Sequence, residues 1–255
     1  MKLEIAIASA AGAVAAYRGG ADRVELCSAL ELGGVTPSAG LIASVLDASE
    51  LPVQALIRPR PGDFCYSPEE LATAVLESVE CAKQGVAGVV IGVLTPSGHV
   101  DLAATERLIE AARSVNSEIE IVFHRAIDQA VNAVDAVGSL AALGVDRVLS
   151  SGQAARAIEG LASLTAMVKA NSGVQIMAGG GVRTADIPAL FKEAGVAAVH
   201  LSAKAAGPAI PGATLALGSA DGSDPNAYFV TDKDLVSAAA EQLNSCRSTA
   251  AKWAY

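Results

Sequence analysis

Apolar and polar positions alternate along the chain with two periods, one typical of buried strands and one typical of amphipathic helices. Short apolar runs rich in β-branched residues predict eight strands, at residues 3–7, 23–27, 53–58, 88–92, 119–124, 147–150, 175–178 and 197–201. Amphipathic stretches between and after them predict eight helices, at 10–18, 38–47, 68–84, 102–115, 131–143, 155–170, 184–193 and 232–247. This alternation predicts a single-domain α/β fold, the (β/α)8 barrel.

A repeated sequence word supports a closed barrel over an open sheet. Similar words that begin with glycine introduce the even-numbered strands, with the glycines at positions 20, 85, 144 and 195. Each glycine would end the preceding helix in the left-handed conformation. Alternate strands of a barrel share interior layers, whereas an open sheet gives no reason for recurrence on even strands. One region departs from this rhythm, because the small residues at 207–224 predict a long loop before the final helix.

Composition and charge exclude several functional classes. The chain has 255 residues, a formal net charge of -9 and no cluster of Lys and Arg, which argues against nucleic acid or an anionic membrane as a partner. No apolar run reaches the length of about 18 residues that a membrane-spanning helix needs. Glu4 interrupts the apolar N-terminal stretch, which we therefore interpret as a strand and a helix instead of a signal peptide, and we expect a cytoplasmic protein.

Polar side chains gather at the predicted carboxyl ends of the strands, where barrels build their sites. Strand 5 ends in His124 and Arg125, and Asp128 follows closely. An interior ion-pair network would also explain buried charges, but it would not need to gather at one mouth. We therefore predict an anion site beside acid–base groups, with Arg58, Arg60 and Arg125 binding the anion and Glu25, His124 or Asp128 moving protons.

Glycine-rich and hydroxyl-bearing loops follow strands 7 and 8. Gly180 and Gly181 lie in a glycine triplet after strand 7, and Ser202 follows strand 8. Barrel phosphate sites commonly use these two loops, and glycines let backbone N–H groups approach an oxyanion. The sequence predicts that Gly180, Gly181 and Ser202 bind an anionic group, although the glycines alone would also be explained by a tight turn.

A soft-metal site is the competing chemistry. The four cysteines lie far apart without a CxxC pair, so neither a zinc site nor a disulfide framework is indicated. Cu(I) favours thiolate ligands. Cys27 at the end of strand 2 is the best candidate ligand, and Cys65 in the insert after strand 3 could approach it, although a single cysteine at a strand end is more often a packing residue.

Six words along the chain resemble the copper homeostasis protein CutC family. In family order they are GGADRVELC at 19–27, GGVTPS at 33–38, IRPRPGDFCYS at 57–67, FHRAID at 123–128, RVLSSG at 147–152 and AGGGV at 178–182. The resemblance implies a TIM-barrel fold, a cytoplasmic location, a homo-oligomer (dimer or tetramer) and copper handling, with Cu(I) bound through cysteines in some members.

Two departures from the family pattern remove metal-binding groups. In the segment 4–9, Ala6 stands where family members often have cysteine, and Ala8 where they often have aspartate. The segment 214–218 lacks the methionine that many family members have there. Three hypotheses follow for the function. The chain could serve copper homeostasis and bind Cu(I), act as a barrel enzyme on a small anionic or phosphorylated substrate, or bind a small ligand without turnover.

Overall fold

The computed structural model describes residues 1–170, 173–208 and 228–252, with side chains described as far as residue 248. Its central feature is a closed barrel of parallel strands in chain order, in which β8 pairs with β1. The strands are β1 (Lys2–Ile7), β2 (Arg23–Leu26), β3 (Val53–Leu56), β4 (Gly88–Ile91), β5 (Glu120–Phe123), β6 (Arg147–Ser150), β7 (Gln175–Ala178) and β8 (Ala198–Leu201). The predicted (β/α)8 barrel is confirmed.

Helices surround this barrel in the predicted alternation. They are α1 (Ala10–Gly19), α2 (Ala39–Ala48), α3 (Pro68–Lys83), α4 (Leu102–Arg113), α5 (Ala133–Ala142), α6 (Leu161–Lys169), α7 (Ile187–Ala189) and α8 (Lys233–Lys252). Local sequence explains where they begin. α3, for example, begins with Ser67 in a reciprocal capping box with Glu70, and Pro68 occupies the first turn, where its missing N–H is not needed.

Two helix predictions are wrong in extent. α6 begins six residues later than predicted because Gly152 and Gly160 bring two backbone segments into contact, and a Cβ at position 152 would lie 2.3 Å from the carbonyl oxygen of Gly160. Ala157 in the same segment donates its N–H to the carbonyl of Gly180 at 2.9 Å, so these residues form turns. The predicted helix at 184–193 combines a 3-10 turn (Thr184–Asp186), α7 and a π turn (Leu190–Ala194).

The segment after β8 forms an antiparallel pair that the sequence did not predict. Strand β9 (Lys204–Ala206) pairs with β10 (Phe229–Thr231), directly before α8. The predicted long loop at 207–224 lies outside the described residues, apart from 207 and 208.

The glycines of the repeated word all adopt positive φ angles. The values are +89° at Gly20, +85° at Gly85, +76° at Gly144 and +69° at Gly195. Residues other than glycine rarely adopt this conformation without strain. The prediction that these glycines end helices in the left-handed conformation is confirmed.

Side chains on each strand alternate between two cores. Residues such as Leu3, Ile5 and Ile7 of β1 face the surrounding helices. The barrel interior contains a second apolar cluster of Cys27, Leu56, Val90, Val122, Leu149, Met177 and Ala198. It also contains charge, because Glu4 accepts a hydrogen bond from Arg23 and lies 3.9 Å from Arg147. The polar side chains that reach the carboxyl mouth of this interior form the candidate site.

Candidate functional site

A cavity of about 140 Å³ opens at the carboxyl ends of the strands. Its apolar walls come mainly from Leu30, Leu56, Phe64 and Leu149. Its polar lining comes from four different strands or the loops that follow them, namely Glu25, Arg58, His124, Arg125 and His200. The structure therefore brings together four of the predicted site residues and adds His200.

Glu25 is the buried carboxyl group of this cavity. Its side chain projects inward from β2, and only 7% of the residue is exposed. Burial raises the pKa of Glu25 to about 7, attraction to His200 acts in the opposite direction, and repulsion from Glu4 adds to the increase. A carboxyl group with this pKa can both take up and release a proton near neutral pH.

His200 connects Glu25 with a second buried carboxylate. Its Nδ1 lies 2.9 Å from Oε1 of Glu4, and its Nε2 lies 3.6 Å from Oε2 of Glu25. Burial would raise the pKa of Glu4, but hydrogen bonds and charge from His200 and Arg23 lower it to about 2, so Glu4 is ionised. Nδ1–H of His200 therefore donates to Glu4. Burial lowers the pKa of His200, but the two carboxylates outweigh this effect and the net shift is upward.

His124 is a neutral hydrogen-bond donor in this environment. Burial, followed by repulsion from Arg58, lowers the pKa of His124 to about 3. Its Nδ1 accepts the backbone N–H of Ala126 at 3.1 Å, so the proton of the neutral ring lies on Nε2. This Nε2–H is buried and has no hydrogen-bond partner among the described residues.

Arg58 is a buried cation that faces only neutral partners. Its guanidinium donates to the carbonyl oxygens of Leu32, Gly34 and Gly62, at 3.2, 2.8 and 2.8 Å. In the part of the chain that the structure describes, no carboxylate lies within ion-pair distance of Arg58, and its Nε–H has no partner. Buried charges are normally paired, so Arg58 provides an uncompensated positive charge at the cavity.

Asp128 organises the loop beside the cavity. Its carboxylate accepts hydrogen bonds from Ser150 Oγ at 2.6 Å, Ser151 N at 3.0 Å and Arg125 Nε at 2.8 Å. Gln153 N also approaches it, at 3.3 Å. These donors occupy both carboxylate oxygens, so Asp128 orients Arg125 towards the cavity that Arg125 lines.

Arg60 lies outside the cavity and holds the loop between β3 and α3. It donates to Glu70 at 2.6 Å, to Asp63 at 3.0 Å and to the carbonyl of Cys65 at 3.0 Å. Its guanidinium also stacks on the ring of Tyr66, 5.3 Å from the centroid. The structure thus separates Arg60 from the arginines that line the cavity.

The predicted anion loops after β7 and β8 do not meet at one cavity. Gly180 packs against Arg125, because a Cβ at position 180 would lie 2.9 Å from the guanidinium carbon. Gly181 packs against Arg156. Ser202 lines a neighbouring cavity of about 240 Å³ with Lys204, and Leu30 contributes to both cavities. Gly180 therefore contacts Arg125, which in turn lines the first cavity.

The two candidate copper ligands, Cys27 and Cys65, lie in different surroundings. Cys27 is fully buried in the barrel interior, and burial, followed by repulsion from Glu25, raises the pKa of its thiol to about 12. Cys65 is partly exposed in the loop that Arg60 holds. Within the described ranges no group of three or more His, Cys, Asp or Glu residues is placed to hold a metal ion. This donor set does not fit a copper centre with three protein ligands.

Sequence reasoning found Glu25 and His124 but not the partner of Glu25. Asp128 was predicted as a proton-transfer residue because it follows His124, whereas His200 on the last strand is the group beside Glu25. The signal that could have found it is the strand period, since Glu4, Glu25 and His200 occupy inward-facing positions on β1, β2 and β8. These strands become neighbours only when the barrel closes.

The fold and site define a (β/α)8-barrel protein with a small polar cavity at its carboxyl mouth. The CutC family model matches residues 1–205, and the chain belongs to the CutC family. It is 41% identical to a CutC family protein of Aliivibrio fischeri strain MJ11 over 210 residues, which cover 82% of this chain and 84% of that protein. It is 39% identical to a CutC family protein of Proteus mirabilis strain HI4320 over 240 residues, which cover 93% and 94% of the two chains.

A solved structure supports the same assignment. A Streptococcus agalactiae protein named as the copper homeostasis protein CutC superimposes on this structure with a TM-score of 0.73. The two sequences are 30% identical, and the match covers 79% of this chain and 99% of that chain. In the described ranges, no helix has the length and apolar character needed to cross a membrane.

Proposed function

We propose that this protein is a barrel enzyme that binds a small anion at the carboxyl mouth and uses Glu25 for acid–base catalysis. The observation that carries the proposal is the buried charge of Arg58, which lines the same cavity as Glu25 and contacts carbonyl oxygens and the ring of Phe64, with no carboxylate within ion-pair distance among the described residues. An anion in the cavity would neutralise the positive charge of Arg58. Electrostatic groups that are already in place for a ligand are typical of active sites.

The surroundings of Glu25 support a role in proton transfer. A base is most effective when its pKa lies near the working pH, and Glu25 meets this condition with a pKa of about 7. His200 lies 3.6 Å from one carboxylate oxygen of Glu25 and is itself held by ionised Glu4, and Glu25 and His200 both line the cavity that a substrate would enter. We infer that His200 and Glu4 are positioning residues for Glu25.

Calorimetric titration with sodium acetate and with inorganic phosphate tests this proposal. An anion that enters beside Glu25 should raise its proton affinity, so binding at pH 7 to 7.5 should take up a fraction of a proton. Titrations in buffers of different ionisation enthalpy measure this uptake. Glu25→Gln should still bind the anion but without proton uptake, whereas Glu50→Gln on the surface should behave as the wild type.

Two further variants test the cation side of the site. Arg58→Gln and Arg125→Gln should each weaken anion binding by at least about tenfold, since each removes a charge-assisted contact. Arg125 is more exposed than Arg58 and its substitution leaves the buried carbonyl contacts intact, so it remains informative if Arg58→Gln fails to fold. Undetectable binding of both anions, or proton uptake that persists in Glu25→Gln, would overturn the proposal.

Cu(I) as a cargo is the second candidate function. It is favoured by the name of the Streptococcus agalactiae relative and by the position of Cys27, which packs with Leu56 of the cavity wall. The high thiol pKa opposes it, because Cu(I) is bound by the thiolate. Anaerobic Cu(I) titration against a chelator of known affinity decides the matter. Tight binding that is lost in Cys27→Ala and kept in Cys81→Ala supports copper, and equal weak binding in all three proteins rejects it.

A further inference from the structure

Two buried N–H groups of the cavity lack acceptors. They are Nε of Arg58 and Nε2 of His124, and neither has a hydrogen-bond partner among the described residues. Unpaired buried donors are rare in folded proteins and indicate a missing partner. Because Arg58 is a cation and Nδ1 of His124 already accepts a hydrogen bond, both groups donate, and an oxygen atom with negative charge would suit either of them.

The cavity is large enough for a small ligand that carries this oxygen. A cavity of about 150 Å³ holds a molecule the size of benzene, with six non-hydrogen atoms. The cavity of about 140 Å³ is of this size, and Leu56, Phe64 and Leu149 form apolar walls around its polar lining. A small, flat molecule with one or two charged oxygens and a short hydrocarbon part fits these surroundings.

A carboxylate fits better than a phosphate. A phosphoryl group has three oxygens in a tetrahedral arrangement and is normally surrounded by several backbone N–H groups. The candidates for such a cradle are divided here, since Ser202 lines the neighbouring cavity while Gly180 lies behind Arg125. Arg125 at the edge of the cavity provides a second cation for a carboxylate group.

We propose that the substrate of the enzyme proposed above is a small carboxylic acid with a carbonyl group next to an acidic C–H bond, and that the reaction passes through its enolate. The carboxylate of Glu25 takes the proton from this carbon. The electron pair of the C–H bond forms a C=C bond, and the π pair of the C=O bond moves onto oxygen. Nε–H of Arg58 and Nε2–H of His124 stabilise that oxygen, and return of the proton from Glu25 completes the cycle.

The neutral state of His124 matters for this role. A protonated histidine would add another positive charge beside Arg58, which the burial of the site disfavours. A neutral imidazole still donates one hydrogen bond to the developing oxyanion. Glu25 is the group whose protonation controls the rate. The charged or titratable groups around it are Glu4, His200 and Cys27, with Arg58 and Arg125 lining the same cavity and Arg23 acting on His200.

Exchange of the methyl protons of pyruvate in D2O, followed by ¹H NMR, tests the proposal. Pyruvate has six non-hydrogen atoms, a carboxylate and an enolisable carbonyl group. The wild type should accelerate exchange above the buffer rate, and the rate should rise with pH through the neutral range as Glu25 ionises. Glu25→Gln should return to the buffer rate, and Glu50→Gln should match the wild type.

Variants of His124 separate the donor from a merely structural role. His124→Leu removes the N–H and should lower the exchange rate about 100-fold. His124→Gln places an amide N–H near the position of Nε2 and should recover a large part of this loss. Equal rates in His124→Leu, His124→Gln and the wild type would overturn the role of His124.

Inhibition by oxalate tests the proposal on the wild type alone, so it remains decisive if a variant does not fold. This planar dianion has the shape and charge of an enolate of pyruvate, so it should inhibit exchange by the wild type and bind more tightly than acetate. Absence of exchange above the buffer rate, together with acetate binding and proton uptake by Glu25, would overturn the substrate class and leave the proposed function intact. Absence of exchange and of anion binding would overturn both.

Discussion

The imidazole ring of His124 lies directly on the α-carbon of Gly92. A Cβ at position 92 would be 2.2 Å from Cε1 and 2.3 Å from Nδ1 of the histidine. Gly92 follows β4, and His124 follows β5, the neighbouring strand. The absence of a side chain at Gly92 therefore leaves the space that the buried ring of His124 fills. The ring also contacts Phe64, with 4.8 Å between the centroids, and these two contacts hold the His124 ring beside the cavity that the residue lines.

Gly92→Ala should therefore destabilise the protein and displace His124. The added methyl group would overlap the buried ring, and we expect the free energy of unfolding to fall by about 1–3 kcal/mol. Urea denaturation measures this change. Gly138→Ala is the matched control, because a Cβ at this helical position meets nothing within 4 Å and should stabilise α5 by up to about 1 kcal/mol. Similar changes in the free energy of unfolding for Gly92→Ala and Gly138→Ala would contradict the contact between Gly92 and the ring of His124.

Acid should destabilise the protein through His124. The pKa of this residue is about 3 in the folded state, against an ordinary value of 6.5, so between these values the unfolded chain binds a proton that the folded chain does not. The free energy of unfolding therefore falls as pH falls. Between pH 7 and pH 4 the wild type should lose roughly 3 kcal/mol more than His124→Gln.

Denaturation curves across this pH range give the difference between the two proteins. The raised pKa of Glu25 acts in the opposite direction in the same window, so the difference, and not the wild-type curve alone, isolates His124. His99→Gln on the surface should follow the wild type. Parallel curves for wild type and His124→Gln would show that His124 is accessible to protons in the folded state.

Asp128→Asn should weaken the loop that orients Arg125. The substitution keeps the size of the side chain but removes the charge and turns one oxygen into a donor facing the donors Ser150 Oγ, Ser151 N and Arg125 Nε. We expect a loss of about 2–3 kcal/mol in the free energy of unfolding. Asp47→Asn, exposed in α2, should change stability by less than about 0.5 kcal/mol. A comparable small loss in Asp128→Asn would mean that the network contributes little.

Cys65 should be the thiol that reacts first with a thiol reagent in the native protein. It is partly exposed, whereas Cys27, Cys81 and Cys246 are 0%, 2% and 4% exposed. Burial also raises the pKa of Cys27 and of Cys81 to about 12, so their thiolates are scarce at neutral pH. Cys65→Ser should remove the fast phase of labelling and Cys81→Ser should retain it. A fast phase that survives Cys65→Ser would indicate that a buried thiol opens to solvent, and its loss in Cys65→Ser/Cys27→Ser would identify Cys27 as that thiol.

Much of the fold was predictable because it rests on local patterns. The period of apolar residues locates the eight barrel strands, and the glycines that precede β2, β4, β6 and β8 are required by their left-handed conformations. The exceptions have non-local causes. For example, α6 begins later than its amphipathic pattern predicts because Gly152 and Gly160 are in contact. The local sequence around either glycine does not reveal this contact.

The sequence by itself determined the barrel, its family and the residue types at the mouth. Polar side chains at strand ends are local features, and Glu25, Arg58, His124 and Arg125 were all predicted from them. Only the tertiary structure decided which of them act together. Closure places β8 beside β1, and so His200 bridges Glu4 and Glu25, which are distant from it in sequence. The protonation states follow from this closure, because burial and neighbouring charge set a pKa and neither is a property of one residue.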